Sequence, residues 1–120
     1  MPDIRLKRIY EPAAGGDDFR VLADRLWPRG MKKDRVLIDL WAKEIAPATV
    51  LRTNYHDGII SWQEFENLYH IELLHNPAMH SFIQTIQNRK TVTLLFAGKD
   101  SDRTHAKIIR EFILEVAAKN

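Results

Sequence analysis

The chain has 120 residues, of which 45% are hydrophobic and 28% are charged, and it contains five glycines and five prolines. This length and composition predict one globular domain over residues 1–120, with enough core to fold without metals or disulfides. Because the chain has no cysteine, disulfides, thiolate nucleophiles and cysteine-ligated zinc are excluded, and the composition is typical of a reducing compartment.

The formal net charge is only +2 with neutral histidines, although the sequence pI is about 9.0. Nucleic-acid binding would therefore depend on clustered charge and not on total charge. Residues 1–8 alternate charged and apolar side chains, unlike a secretory signal, and no stretch approaches the ~20 apolar residues of a membrane span. We expect a cytoplasmic protein without a membrane partner.

The first third of the chain predicts two strands joined by a loop. Residues 4–10 place Ile4 and Leu6 on one face at period two, which indicates a half-exposed strand near a sheet edge. Residues 11–18 are rich in turn formers and predict a loop, and residues 19–24 predict the second strand.

The next segment is ambiguous. Residues 31–36 are polar and predict a surface loop or a short helical turn, whereas residues 37–45 fit the period of a strand and that of a helix equally well. Pro47 ends either element, and residues 49–55 predict a short helix.

Two helices are predicted in the middle of the chain. Ser61 and Glu64 have capping-box spacing, and Asn76 followed by Pro77 provides an N-cap and a first helical residue. Their apolar stripes are Trp62, Phe65, Tyr69 and Leu73 in the first helix, and Met79, Phe82, Ile83 and Ile86 in the second.

A buried strand and a last helix complete the predicted elements. Residues 91–97 are apolar, β-branched and aromatic, which is typical of a central strand covered on both faces. A helix from about residue 104 has the buried stripe Ile108, Ile109, Phe112, Ile113 and Val116. This order predicts an α/β domain of three layers, with helices on both faces of a short, mostly parallel sheet.

Two unusual motifs follow predicted strands. They are Asp-Arg-Leu-Trp-Pro-Arg-Gly at 24–30 and Gly-Lys-Asp-Ser-Asp-Arg-Thr-His at 98–105. Ligands of parallel sheets bind at the carboxyl ends of strands. Because Arg25 and Arg29 are costly to bury unpaired and can hold a planar oxyanion, we predict a site for a phosphate- or carboxylate-bearing ligand.

The second motif adds groups suited to an anion. Lys99 supplies charge, and the amides from Ser101 to Thr104 precede a helix whose positive end favours anions. His105 is a candidate general acid or base with Asp24 as its carboxylate partner. The alternatives are a structural histidine and an internal salt bridge for Asp24. The motif lacks the spacing of a Walker A loop or a dinucleotide fingerprint.

Other residues allow two interpretations. Trp27 is a stacking platform for a ring or a packing anchor. Lys43, Arg52 and His56 are interleaved with aromatic residues, which suits nucleic-acid binding or an amphipathic face.

Metal and nucleophilic chemistry receive little support. Pro77 interrupts the register of the helical histidines, and no nucleophile elbow or zinc-protease motif is present. The acidic residues at the predicted strand ends leave a magnesium site open: Asp24, Asp100 and Asp102. No residue pattern identifies a cofactor, a reaction or an oligomeric state.

Taken together, the motifs resemble the DUF488 family, and within it the short YeaO-like bacterial proteins. The resemblance covers nearly the whole chain, including residues 41–47 and 94–100, and its most specific motif is at residues 24–30. It implies an α/β domain of the bacterial cytoplasm and carries no established activity. The chain departs from the family pattern at Ala48 and Thr104. The positions that match it include Asp24, Arg25, Trp27, Arg29, Lys43, Arg52, His56, Lys99 and His105.

The leading hypothesis is thus a small protein that binds an anionic ligand at the strand ends, with Arg25, Arg29 and Lys99 supplying charge. A nucleic-acid-binding module is the first alternative, and a steep loss of affinity with salt would distinguish it. The second alternative is an interaction protein whose charged motifs form internal salt bridges.

Overall fold

A computed structural model describes residues 1–119 and contains one parallel sheet. Its strands are β1 (Asp3–Arg8), β2 (Phe19–Leu22), β3 (Leu40–Trp41) and β4 (Thr91–Phe96), in the spatial order β1-β4-β2-β3. All residues of β4 are buried, as expected for a strand with neighbours on both sides. The predicted α/β class is confirmed.

Four α-helices follow the predicted pattern: α1 (Thr49–His56), α2 (Trp62–Leu74), α3 (Pro77–Ile86) and α4 (His105–Lys119). Their starts carry the expected caps. The Ser61 hydroxyl accepts the Glu64 amide at 3.1 Å, and Glu64 Oε1 accepts the Ser61 amide at 3.1 Å. The Asn76 side chain likewise accepts the Ala78 amide at 3.0 Å.

The two faces of the sheet are covered by different kinds of layer. The buried side chains of α2, α3 and α4 all belong to the main core on one face, against which α1 also packs. On the opposite face, Ile9, Leu22 and Leu95 form a smaller cluster. Here the cover is a loop layer that includes Trp27, Met31, Val36 and Ile38. The sheet is thus flanked on both faces, but its α-helices lie on one of them, and loops take the place of the helices expected on the other, because the β1–β2 and β2–β3 connections contain no α-helix.

The ambiguous segment forms two short elements. Val21 pairs with Leu40 and Leu22 with Trp41, after which Lys43–Ile45 form a 3-10 turn. Residues 31–36 are loop, as one of the two predictions had it. Pairing along the free edge of β2 therefore selects the strand conformation for only two residues.

A buried ion network lies beneath the loop layer at the start of β2. Asp17 accepts hydrogen bonds from Lys7 at 3.1 Å and from the Arg20 guanidinium. Arg20 Nε also donates to the Leu37 carbonyl at 2.5 Å, which ties the loop to the sheet. Within residues 1–119, no helix has the length and apolar character needed to cross a lipid bilayer.

Candidate functional site

The site is built where β2 and β4 end side by side. The Ala23 amide donates to the Leu95 carbonyl at 2.9 Å, which extends the ladder one residue past β2. At the next position, Asp24 Oδ2 accepts the Ala97 amide at 2.9 Å. The Asp24 carboxylate thus takes the place of a backbone acceptor and is fixed at the carboxyl edge of the sheet.

His105, the first residue of α4, faces the same carboxylate. Its Nε2 lies 3.2 Å from Asp24 Oδ1 and 2.9 Å from the Ala23 carbonyl oxygen. Because a carbonyl oxygen only accepts hydrogen bonds, Nε2 carries the hydrogen. The other ring nitrogen, Nδ1, has no partner among residues 1–119, and since no buried polar side-chain atom there is unpaired, Nδ1 is accessible to solvent.

Arg25 is held by backbone carbonyls and not by an acid. Its Nη2 donates to Ala46 O at 2.9 Å and its Nε to Pro47 O at 3.2 Å. The preceding carbonyl, of Ile45, accepts the Tyr69 hydroxyl at 2.5 Å. Burial raises the pKa of the Tyr69 phenol well above its ordinary value of 10.0, so it remains a donor. These bonds fix the turn into α1, and Arg25 Nη1 keeps its donors for another acceptor.

A cavity of about 280 Å³ opens at this edge, and we call it the first cavity. Aromatic side chains of α1 and α2 form one wall: Tyr55 lies 5.1 Å from Phe65 and 5.4 Å from Trp62, centroid to centroid. The other walls are Ala46, Pro47, His56, the Asp24–Arg25 segment, Arg52, residues 97–100 and residues 103–105.

The cationic side chains around the first cavity lack ion-pair partners within residues 1–119, whereas its carboxylates are hydrogen-bonded. Four permanently cationic groups line it, and none of them forms an ion pair in the described part of the chain: Arg25, Arg52, Lys99 and Arg103. The two carboxylates are engaged elsewhere, Asp24 as above and Asp100 with backbone amides. Around the cavity, four permanent cations therefore face two carboxylates, which leaves an excess of positive charge.

The loop before α4 uses part of its own hydrogen-bonding capacity. Asp100 Oδ1 accepts the amides of Asp102 at 2.9 Å and Arg103 at 3.0 Å, and these bonds lower the pKa of the Asp100 carboxyl. Two of the amides predicted to bind an anion are thus occupied. Charged side chains, more than the start of the helix, determine the electrostatics of the site.

The structure brings together six of the predicted site residues and separates four others from them. Lining the first cavity are Asp24, Arg25, Arg52, Lys99, Thr104 and His105, whereas Trp27, Arg29, Lys43 and Ser101 are outside it.

The residues outside have other contacts. Trp27 donates to the Met31 carbonyl at 2.7 Å and packs edge-on against Trp41, so it is a packing anchor of the loop layer. Lys43 Nζ lies 5.0 Å from the centre of the Trp41 ring. The Arg29 side chain is exposed, and its segment is fixed by Tyr10, whose hydroxyl donates to the Arg29 carbonyl.

Sequence reasoning missed part of the wall. The sequence places Trp62 and Phe65 in the apolar stripe of a helix and gives the Arg103 side chain no separate role, yet all three line the first cavity. The spacing of Tyr55 and Trp62 across the α1–α2 connection was the available signal, because it places two rings near one helix junction. Among residues 1–119, no group of three or more histidine or acidic side chains is arranged to hold a metal ion.

Comparisons of the chain with a family model and with individual proteins indicate the same family. The model of a family described as the inactive DUF488-N3 subclade matches residues 3–120. The chain is 35% identical to the uncharacterized protein YeaO of Escherichia coli K12, over 92% of this chain and 96% of YeaO. It is 34% identical to the uncharacterized protein Rv3073c of Mycobacterium tuberculosis H37Rv, over 92% of each chain. No solved structure matches it.

Proposed function

The chain belongs to the inactive DUF488-N3 subclade, and from that premise we propose that it binds a small phosphate-bearing ligand in the first cavity without converting it. The observation that carries the proposal is the set of four cations around one cavity with no carboxylate partner. Arg25 is half-buried and bonded only to backbone carbonyls, and the other three cations are exposed, so no ion pair within residues 1–119 competes with an external anion for them.

Phosphate fits the cationic groups better than carboxylate does. Arg25 is held rigidly by Ala46 and Pro47 and offers Nη1 from a fixed position. Arg52 and Lys99 approach from α1 and from the loop after β4. Donors that converge from separate elements suit the several oxygens of a phosphate, whereas one guanidinium is enough for a carboxylate.

The aromatic wall indicates what else the ligand carries. Trp62 and Phe65 stack at 5.4 Å with an interplanar angle of 21°, and Tyr55 packs against both. A surface of rings beside a cluster of cations suits a phosphate attached to an apolar or planar group.

Acid–base chemistry at His105 is the second candidate function. Asp24 fixes the hydrogen on His105 Nε2 and leaves Nδ1 accessible as a base, which is the arrangement of a positioned histidine. The family description as inactive favours the simpler role, in which Nδ1 accepts a hydrogen bond from the bound ligand. The absence of cysteine agrees with a cytoplasmic setting for either role.

Phenyl phosphate titrated by calorimetry tests the proposal. We expect Arg52→Ala to weaken binding by about tenfold or more, because a hydrogen bond to a charged group is worth roughly 1.5–3 kcal/mol. The matched control is Arg29→Ala, which removes an exposed arginine outside the cavity and should leave the affinity unchanged.

Two results would contradict the proposal. One is equal weakening by Arg29→Ala and Arg52→Ala, which would indicate diffuse attraction. The other is no binding of phenyl phosphate together with tight, steeply salt-dependent binding of duplex DNA, each neutralised phosphate adding about 0.9 to the log–log slope. That second result would favour the nucleic-acid alternative.

A further inference from the structure

A second cavity lies directly beside the first. Its volume is about 250 Å³, and it shares Arg25, Pro47, Arg52 and His56 with the first cavity. Two of these four shared residues are arginines and a third is a histidine. Two of the four cations, Arg25 and Arg52, therefore stand at the junction between the two cavities.

The second cavity has a different chemical character from the first. Its remaining walls are Leu26, Thr49 and Thr53, so it has two hydroxyl groups, no carboxylate and no Phe, Tyr or Trp side chain. The first cavity has three such side chains, none of which lines the second. One end of the pair thus suits a planar ring, and the other suits a neutral group that carries hydroxyls.

The sizes also favour a ligand that spans both. Small-molecule sites commonly have volumes of about 300–1,000 Å³, and each cavity alone is near or below the lower limit of that range. Arg52 is exposed and lines both cavities, and its side chain has no hydrogen bond within residues 1–119. A ligand bound at Arg52 can therefore contact residues of both cavities.

We propose that the ligand is a phosphate or diphosphate joining a planar ring to a hydroxyl-bearing group, as in a nucleoside diphosphate sugar. The phosphoryl oxygens lie between Arg25 and Arg52, the ring lies against Tyr55 and Trp62, and the hydroxyl-bearing group contacts Thr53. This inference rests on the proposed function and specifies the ligand class of the same site.

Calorimetric titration with UDP and UDP-glucose tests the inference. We expect UDP-glucose to bind about tenfold more tightly than UDP, because only UDP-glucose fills the second cavity. Leu26→Trp fills that cavity from an exposed loop position and should lower the affinity for UDP-glucose to that for UDP, with binding of UDP unchanged. Thr53→Phe fills it from the α1 side and should have the same effect.

The matched control is Leu37→Trp, because Leu37 is 65% exposed and Leu26 is 66% exposed, and Leu37 lines neither cavity. Equal affinities for UDP and UDP-glucose, or equal effects of Leu26→Trp and Leu37→Trp, would overturn the inference. Binding of phenyl phosphate but of neither nucleotide would also overturn it while the proposed function stands. Failure of all three compounds to bind would overturn both.

Discussion

Two largely buried aspartates flank β2, and they have different partners. The difference determines which cationic side chains are left without a carboxylate partner. Asp17 precedes the strand and is neutralised by Lys7 and Arg20. Asp24 follows the strand and is bound by the Ala97 amide and by His105. The Asp24 carboxylate thus has a histidine and a backbone amide as partners, whereas ion pairing with permanent cations is found at Asp17. Arg25 therefore has no protein carboxylate to compete with a ligand.

Removing the Asp17 carboxylate should be costly. Asp17→Asn leaves the buried Arg20 guanidinium without its counter-charge, and loss of one partner of a buried pair costs about 3–5 kcal/mol. The matched control is Asp3→Asn, whose pair with Arg5 is exposed and should contribute less than about 1 kcal/mol. Urea denaturation of both variants measures the difference.

The loss of stability caused by Asp17→Asn should depend on pH. Burial alone would raise the pKa of the Asp17 carboxyl, but hydrogen bonds from Ala14, Lys7 and Arg20 hold it below its ordinary value of 3.8. A lowered native pKa contributes stability above the unfolded value, and that contribution is lost as the pH falls through the native value. The Asp17→Asn deficit should shrink below about pH 4. A deficit that grows on acidification would contradict this explanation.

At the scale of elements, α2 connects the core to the cavity. Phe65 and Tyr69 are buried in the core, and Trp62 and Phe65 also form the aromatic wall. Because Ser61 caps the turn that carries this wall, the start of α2 affects both the stability of the fold and the shape of the cavity.

Ser61→Ala should destabilise the protein by about 1 kcal/mol, because the Glu64 amide loses its acceptor. Ser81→Ala is the control, since Ser81 is an exposed residue inside α3 and alanine favours helix. Thermal unfolding of the two variants should show a lowered midpoint for Ser61→Ala only. Equal midpoints would mean that the capping box contributes nothing to α2.

The elements differ in how far sequence predicts them, and the difference is physical. The starts of α2 and α3 depend on contacts within four residues, so Ser61 and Asn76 are sufficient to predict them. The bounds of β3 depend on which residues of β2 are free to pair, and that information lies in another part of the chain. Periodicity alone therefore leaves residues 37–45 compatible with either a strand or a helix.

At the scale of the whole molecule, the parallel sheet explains why two distant motifs meet. β2 and β4 are neighbours, so Asp24 and Ala97 come together at one edge, as the rule for strand ends predicts. The same rule does not determine the direction that the chain takes after β2. Gly30 has a φ of +81°, and the turn it forms belongs to the loop layer, which places Arg29 outside the cavity.

Arg52 of α1 is a predicted site residue that lines the first cavity, but the packing that brings α1 to the strand ends is not predictable from the sequence. Arg52 reaches the cavity because Tyr55, one turn later, packs on Phe65 of α2. That contact is tertiary and has no local signature beyond an aromatic residue in a short helix. The sequence thus indicates the strand-end residues and Arg52, and the packing of the helices determines that they meet.

The most direct test of the central claim is a titration of ¹⁵N-labelled protein with phenyl phosphate, followed by NMR. If the anion binds in the first cavity, the amide signals of residues 97–105, Arg25 and Arg52 should shift most. These shifts should saturate at a single affinity. Residues 31–36, which contain exposed lysines and do not line the cavity, should shift little. Shifts concentrated at residues 31–36, or spread over all basic residues without saturation, would contradict the account.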